Sequence, residues 1–127
     1  MDGKLQVELF VDDVERSVGF YCRVLDFERV AKDGASRDYV AVRRGDAVIG
    51  IGRAGMLPDD HPAARVEGQA PGRGVELVLE VDDVEAACEH AQAAGATLAT
   101  GLGDQPWGRR DFRLLDPDGY YVRVTSP

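Results

Sequence analysis

The sequence predicts an α+β protein in which two tandem βαβββ modules form a curved mixed sheet with a concave cleft and carry their helices on the outer face. Three observations predict this fold. The pentapeptide VDDVE occurs twice, at Val11–Glu15 and at Val81–Glu85. Each copy follows a segment of alternating hydrophobic residues and precedes a segment with helical spacing. Three short strand-like runs then follow each helical segment, so the same order of elements is predicted twice.

The segment before each pentapeptide is predicted to be a strand with one face in the core. In both copies an apolar residue recurs at every second position, which is the period of a half-buried strand. These positions are Leu5, Val7, Leu9 and Val11 in the first copy and Val75, Leu77, Leu79 and Val81 in the second. The positions between them are mixed in polarity, and we expect them to face the cleft.

A helix is predicted to start within each pentapeptide. Asp12 and Asp82 are the expected N-caps, and Glu15 and Glu85 follow three residues later, as in a capping box. Gly95 is expected to end the second helix. Apolar residues at helical spacing follow each cap, namely Val14, Val18, Tyr21, Val24 and Leu25, and then Val84, Ala87, Cys88, Ala91 and Ala94.

The remaining strands are predicted from short apolar or β-branched runs between turn residues. In the first module they cover about Glu28–Lys32, Tyr39–Arg43 and Ala47–Gly52, and in the second about Thr97–Gly101, Arg110–Leu115 and Tyr120–Thr125. The turn Asp116–Gly119 joins the last two strands, because its proline fixes φ and its glycine accepts positive φ.

The module boundaries follow from this assignment. Residues 1–56 form the first βαβββ module, residues 57–73 a linker, and residues 74–127 the second module. The linker is rich in proline, glycine and charged residues, and a short helical turn is expected near Pro62–Val66. Each half is too small to bury its sheet alone, so the two modules are expected to form one compact domain.

The composition restricts the class of protein. The chain has 127 residues, 44% hydrophobic and 30% charged, with a net charge of −8. The acidity argues against nucleic-acid partners, although it is more simply explained by solubility. No apolar run is long enough to span a membrane, and no secretory signal is expected. Cys22 and Cys88 are too few for a disulfide framework and are read as reduced packing residues, which predicts a cytoplasmic protein.

Three segments resemble the vicinal oxygen chelate superfamily, which includes glyoxalase I, extradiol dioxygenases, fosfomycin-resistance enzymes and bleomycin-resistance proteins. They read VDDVERSVGFYCRVLDF, VDDVEAACEHAQAAGA and QPWGRRDFRLLDPDGYYVRV. The likeness covers nearly the whole chain and is greatest to the bleomycin-resistance branch. It implies that the first and last strands of each module are neighbours and that the protein is a homodimer.

Enzymes of this superfamily bind a divalent metal with residues from the first and last strand of each module, usually His, Glu or Gln, His and Glu. Carried over residue by residue, these positions fall on Gln6, Glu76 and Arg123, and on Ile49 or Gly50 in the last strand of the first module. A catalytic metal needs about three protein ligands with free lone pairs. A guanidinium cannot supply one. The sequence therefore predicts no metal and no cofactor.

The two histidines do not change this interpretation. His61 lies in the linker and His90 on the second helix, so neither lies on a predicted cleft strand. At the former metal position the resemblance places Glu76 opposite Arg123, and we predict an ion pair between them. Two interpretations of this pair remain: it contacts a ligand, or it is a purely structural contact.

The other expected cleft residues are aromatic or acidic. Flat rings beside carboxylates suit a planar or cationic ligand. For Tyr39 and Tyr121, packing or a subunit contact is an equal alternative, whereas the loop setting of Trp107 favours a pocket rim. The charged run from Arg109 to Arg113 is expected to be a solvated face. The predicted ligand-binding set is Gln6, Glu8, Phe10, Tyr39, Ile49, Glu76, Trp107, Tyr121 and Arg123.

The first functional interpretation is a metal-free protein that binds an antibiotic or similar natural product and acts by sequestration. The second is an enzyme, a metal-dependent lyase, isomerase or dioxygenase with an atypical ligand set. The third is a regulatory or scaffolding module without a small ligand. No nucleophile motif or phosphate-binding loop was found, and Glu8, Glu76 and Glu80 remain as the candidate bases.

Overall fold

The computed structural model describes residues 1–30 and 36–127 and contains the predicted order of elements twice. The α+β class and the two tandem βαβββ modules are confirmed. The elements are β1 (Val7–Val11), α1 (Val14–Leu25), β2 (Glu28–Arg29), β3 (Tyr39–Arg44) and β4 (Ala47–Arg53), a 3₁₀ turn (Ala54–Met56), then β5 (Leu77–Glu80), α2 (Val84–Ala93), β6 (Leu98–Asp104), β7 (Arg110–Leu115) and β8 (Tyr121–Thr125).

The strands form two four-stranded mixed sheets of the same design. The first has the order β1-β4-β3-β2 and the second the order β5-β8-β7-β6. In each sheet the first and last strands of the module are parallel neighbours, and the other pairs are antiparallel. The first and last strands of each module are thus neighbours, as the resemblance implied. This pairing places Glu76, just before β5, beside Arg123 of β8.

Both helices start one residue later than predicted. The N-caps are Asp13 and Asp83, whose side chains accept hydrogen bonds from the backbone N–H groups of Arg16, at 3.1 Å, and Ala86, at 3.0 Å. The predicted caps Asp12 and Asp82 are therefore wrong, and the predicted capping boxes do not form. In the first module Asp12 has a different role, because its carboxylate pairs with Arg65 of the linker.

Several predicted strand limits also shift. The strand predicted at Glu28–Lys32 is seen over Glu28–Arg29, and Lys32 lies outside the described residues. The strand predicted at Thr97–Gly101 runs on to Asp104, and β5 begins at Leu77 instead of Val75. The helical turn expected near Pro62–Val66 is replaced by separate hydrogen-bonded turns, such as the one from Ala64 N–H to the His61 carbonyl at 2.9 Å. Pro62 has no N–H to extend such a turn into a helix.

One hydrophobic core serves both modules. It is formed by the alternating apolar residues of the strands and by the buried stripes of α1 and α2. Tyr21, Phe112, Ile51 and Leu114 are its largest fully buried side chains. The Tyr21 hydroxyl of the first module donates to Asp116 Oδ2 of the second at 2.8 Å, and burial raises the pKa of both groups. The modules are therefore joined by polar contacts as well as apolar ones.

None of the helices in the described residues is long and apolar enough to cross a membrane.

Candidate functional site

The site is built on the strand faces turned away from the core. In β1, Leu9 and Val11 are buried, so Glu8 and Phe10 project from the opposite face. Gln6 precedes β1 and is exposed to solvent. In the second module, Val122 and Val124 of β8 are buried, which turns Tyr121 and Arg123 to the opposite face. This alternation places Glu8, Phe10, Tyr121 and Arg123 on the faces turned away from the core.

A hydrogen bond between Tyr39 and Glu8 organises the face of the first module. The Tyr39 hydroxyl donates to Glu8 Oε1 at 3.2 Å. Both side chains lie over Gly50 of β4, the register partner of Glu8, where an added Cβ would overlap the Glu8 carboxylate and the Tyr39 hydroxyl. Burial, followed by the hydrogen bond to Glu8, raises the pKa of Tyr39. A glycine at this position therefore leaves room for the pair.

Ile49 does not share this face. It is the register partner of Val7 and packs against the core with it. Because side chains alternate along a strand, Ile49 points to the side opposite Glu8. Of the two positions considered for the last strand of the first module, Gly50 is the one on the site face.

The predicted ion pair between Glu76 and Arg123 is present in the second module. Arg123 Nε lies 3.1 Å from Glu76 Oε1, and the Arg123 side chain is 15% exposed. Arg123 Nη1 also lies 3.6 Å from Asp111 Oδ2. Burial, followed by a hydrogen bond to Glu76, raises the pKa of Tyr121. Arg123 is thus held between two carboxylates on one strand face.

Asp111 is a residue that sequence reasoning missed. Its side chain is fully buried and lies 3.7 Å from Arg113 as well as near Arg123. Gln105 Nε2 donates to Asp111 Oδ1 at 2.9 Å, while Oδ2 has no hydrogen bond in the described part of the chain. The expectation that the charged run is a solvated face is wrong at Asp111. The alternation of side chains along β7 indicates which side each residue takes, although not that this side is buried. It turns Asp111 and Arg113 to one side of β7 and the buried Phe112 to the other.

Trp107 lies at the rim of this charged cluster. The ring is well exposed, and the Cζ atom of Arg123 is 6.0 Å from its centroid. This is the outer limit for attraction between a cation and an aromatic face. The indole therefore remains available to other molecules.

A cavity of about 460 Å³ lies between β1, the linker and the start of β8. Glu8, Phe10, Tyr120 and Tyr121 contribute to its lining from the strand side, and residues between Pro62 and Arg73 contribute from the linker. The cavity thus brings Glu8, Phe10 and Tyr121 together. Glu76, Trp107 and Arg123 are outside its lining, although Tyr121 connects to them through Glu76. The linker wall was missed, because nothing local in the sequence indicates where a linker folds back.

These features define a class of protein in which paired βαβββ modules present strand faces to a small-molecule cleft. The chain belongs to the Glyoxalase/Bleomycin resistance protein/Dioxygenase superfamily, whose family model matches residues 5–124.

Relatives of two different kinds share similar levels of sequence identity with this chain. A lactoylglutathione lyase of Pseudomonas putida is 29% identical over 94% of this chain and 82% of its own length. A bleomycin resistance protein of Geobacillus stearothermophilus is 25% identical over 88% of this chain and 87% of its own. A solved structure of a protein of unknown function from Agrobacterium tumefaciens is 28% identical, covers 100% of this chain and 97% of its own, and superposes with a TM-score of 0.77.

The superfamily implies a divalent metal, and the side chains at the corresponding positions do not fit one. Gly50 has no side chain, and the guanidinium of Arg123 takes the carboxylate of Glu76. Within residues 1–30 and 36–127, no three His, Cys, Asp or Glu side chains are grouped so that they could hold a metal ion. His61 lies near the Phe10 ring, and His90 Nε2 is 2.9 Å from the Arg23 carbonyl oxygen. The donor set therefore suits ion pairing better than coordination.

Proposed function

We propose that this protein binds a small planar or cationic molecule, such as an antibiotic or another natural product, without a metal, and that it acts by sequestration. The observation that carries the proposal is the ion pair of Arg123 with Glu76, at 3.1 Å, where the superfamily's enzymes have metal ligands. A cation fixed at that position opposes the binding of a second one. Binding without bond breaking needs only a cleft with suitable walls.

The cavity supports this proposal by its size and its walls. Its volume of about 460 Å³ falls within the roughly 300–1,000 Å³ of ligand pockets. The rings of Phe10, Tyr120 and Tyr121 offer flat apolar surface for stacking. Glu8 makes no ion pair with another described residue, so its carboxylate is available to a positively charged ligand group. The similarity to the bleomycin resistance protein of Geobacillus stearothermophilus is consistent with such a role.

Isothermal titration calorimetry with bleomycin, mitomycin and other planar compounds tests the proposal. We expect at least one compound to bind and the Glu8→Gln variant to bind it about tenfold or more weakly, because the amide lacks the negative charge that strengthens the contact with a cationic group. Glu89→Gln, on the exposed surface of α2, is the matched control and should bind normally. Absence of binding across the panel would count against the proposal.

We also propose that the protein is a cytoplasmic homodimer. Val48 and Val78 are large apolar residues left exposed on β4 and β5, and Leu115 is exposed at the end of β7. Apolar side chains on sheet faces favour a subunit contact. Cys22 and Cys88 are free thiols, as suits a reducing compartment. Light scattering after gel filtration should give twice the mass of the 13.8 kDa chain. A monomer at micromolar concentration would contradict the dimer.

A metal-dependent lyase is the second candidate, and the 29% identity to the Pseudomonas putida lactoylglutathione lyase favours it. Elemental analysis of protein purified without chelators separates the two functions. Sequestration without a metal predicts substoichiometric Fe, Mn, Zn and Ni. Near-stoichiometric content of one of these, lost in a Glu76→Gln variant, would favour the enzyme.

A further inference from the structure

One side chain connects the linker to both modules. Arg65 Nη2 lies 2.6 Å from Asp118 Oδ2 in the turn between β7 and β8. Arg65 Nε lies 3.3 Å from Asp12 Oδ1, just before α1. A guanidinium has donors in a rigid planar fork, so it can contact two carboxylates at once. Arg65 uses this property where the two modules and the linker meet.

The carboxylate of Asp118 is positioned to accept hydrogen bonds from Arg65. The Asp118 side chain is fully buried. Besides Arg65, it accepts hydrogen bonds from the Asp12 backbone N–H at 2.9 Å, from the Ser17 hydroxyl at 3.3 Å and from Arg16 Nη2 at 3.5 Å. Asp116 holds the turn that presents it, because Asp116 Oδ1 accepts from the N–H groups of Asp118 and Tyr120, both at 2.9 Å. The turn is therefore held by hydrogen bonds that do not involve Arg65.

The position of Arg65 links this contact to the cavity. Arg65 and its neighbours Ala64 and Val66 line the cavity opposite Glu8 and Phe10 of β1. On the strand side, the Tyr120 hydroxyl donates to the Phe10 carbonyl oxygen at 2.7 Å. The strand walls are thus fixed by the fold, whereas the linker wall has turns and loops and no sheet pairing of its own.

We propose that Arg65 is a positioning residue that holds the linker as a wall of the cavity, through Asp118 of the second module and Asp12 of the first. The importance of this wall for a ligand rests on the proposed function, but the wall itself can be tested without one. The ion pair with Asp118 contributes more than an ordinary surface pair, because the carboxylate is buried and receives charge-assisted hydrogen bonds.

Hydrogen exchange measured by mass spectrometry tests the proposal on the full chain. In Arg65→Ala we expect amide exchange in the linker, residues 57–73, to become about tenfold or more faster, while exchange in β4 and β8 stays unchanged. Arg65→Lys should restore part of the protection, because an ammonium can reach Asp118 or Asp12 but lacks the fork. Arg73→Ala removes a second linker arginine that also lines the cavity, and it should leave exchange unchanged.

Three results would overturn the proposal. They are unchanged linker exchange in Arg65→Ala, an equal increase across linker and core, and an Arg73→Ala effect as large as that of Arg65→Ala. If Arg65→Ala fails to fold, Arg65→Lys decides by the same comparison of linker with core. Calorimetry with bleomycin then separates the two proposals. A wild-type protein that does not bind it, but shows the local exchange effect, would weaken the proposed function and leave the role of Arg65 intact.

Discussion

The two modules share one strand order, yet the faces that they turn away from the core have different chemistry. When the modules are aligned on VDDVE, Glu8 corresponds to Val78, and their register partners are Gly50 and Arg123. The first module has a carboxylate over a glycine, and the second an exposed valine beside a guanidinium. The same backbone therefore carries a glycine, Gly50, on the face of the first module, which we call the open face. It carries the ion-paired Arg123 on the face of the second module, which we call the filled face.

The two faces differ in the side chains that their strands supply. In the first module, Gly50 and Gly52 add no side chains, and the Phe10 ring lies close to Gly52. In the second module, Arg123 and Asp111 fill the face with ion pairs. The cavity itself lies between β1, the linker and the start of β8, so both modules bound it, and neither Gly50 nor Gly52 contributes to its lining.

The largest expected effect is on the filled face. Arg123→Ala would leave the fully buried carboxylate of Asp111 without one of its two guanidinium neighbours. Removing one partner of a buried pair costs about 3 kcal/mol, so we expect the free energy of unfolding to fall by about that amount. Urea denaturation followed by Trp107 fluorescence measures the loss.

The control for this variant is Arg53→Ala. Arg53 pairs with Asp38, but both side chains are about half exposed, so no measurable loss is expected. If Arg123→Ala were as stable as Arg53→Ala, the second face would not be held together by charge, and the contrast between the modules would lose its physical basis.

The order of elements is predicted by repeated local patterns, whereas the contact of Glu76 with Arg123 is predicted from the neighbouring strands that the family resemblance implies. The repeated pentapeptide fixes the alignment of the modules, and the parallel pairing of β5 with β8 then brings Glu76 to Arg123. The predicted helix starts were wrong by one residue, because adjacent aspartates offer two equivalent caps. In the first module the other aspartate, Asp12, pairs with Arg65. The burial of Asp111 and the linker wall depend on contacts between distant segments, which no local pattern encodes.

The second largest loss of stability is expected when one of two tyrosine–carboxylate hydrogen bonds, one in each setting, is removed. Tyr21 is fully buried and joins the modules through Asp116, whereas Tyr39 is half-buried and its partner Glu8 is exposed. Tyr21→Phe should lower the free energy of unfolding by about 1–3 kcal/mol, because it leaves a buried carboxylate short of a donor. Tyr39→Phe should cost less than about 1 kcal/mol, because water can replace the hydroxyl. Denaturation of the two variants side by side gives the comparison, and equal losses would contradict it.

The smallest expected effect on stability comes from Gly50→Ala on the open face. An added Cβ meets the ends of Glu8 and Tyr39, which are flexible and can move aside. Alanine also restricts the unfolded chain more than glycine, so the free energy of unfolding should change by less than about 1 kcal/mol.

The same substitution, Gly50→Ala, should nevertheless break the hydrogen bond between Tyr39 and Glu8. Because that bond helps to raise the pKa of Tyr39, the pKa should move back towards its ordinary value. An NMR titration of Tyr39 detects this shift. Gly101→Ala, where a Cβ meets nothing within 4 Å, should leave it unchanged. An unaltered Tyr39 pKa in Gly50→Ala would mean that the glycine is not what makes room for the pair on the open face.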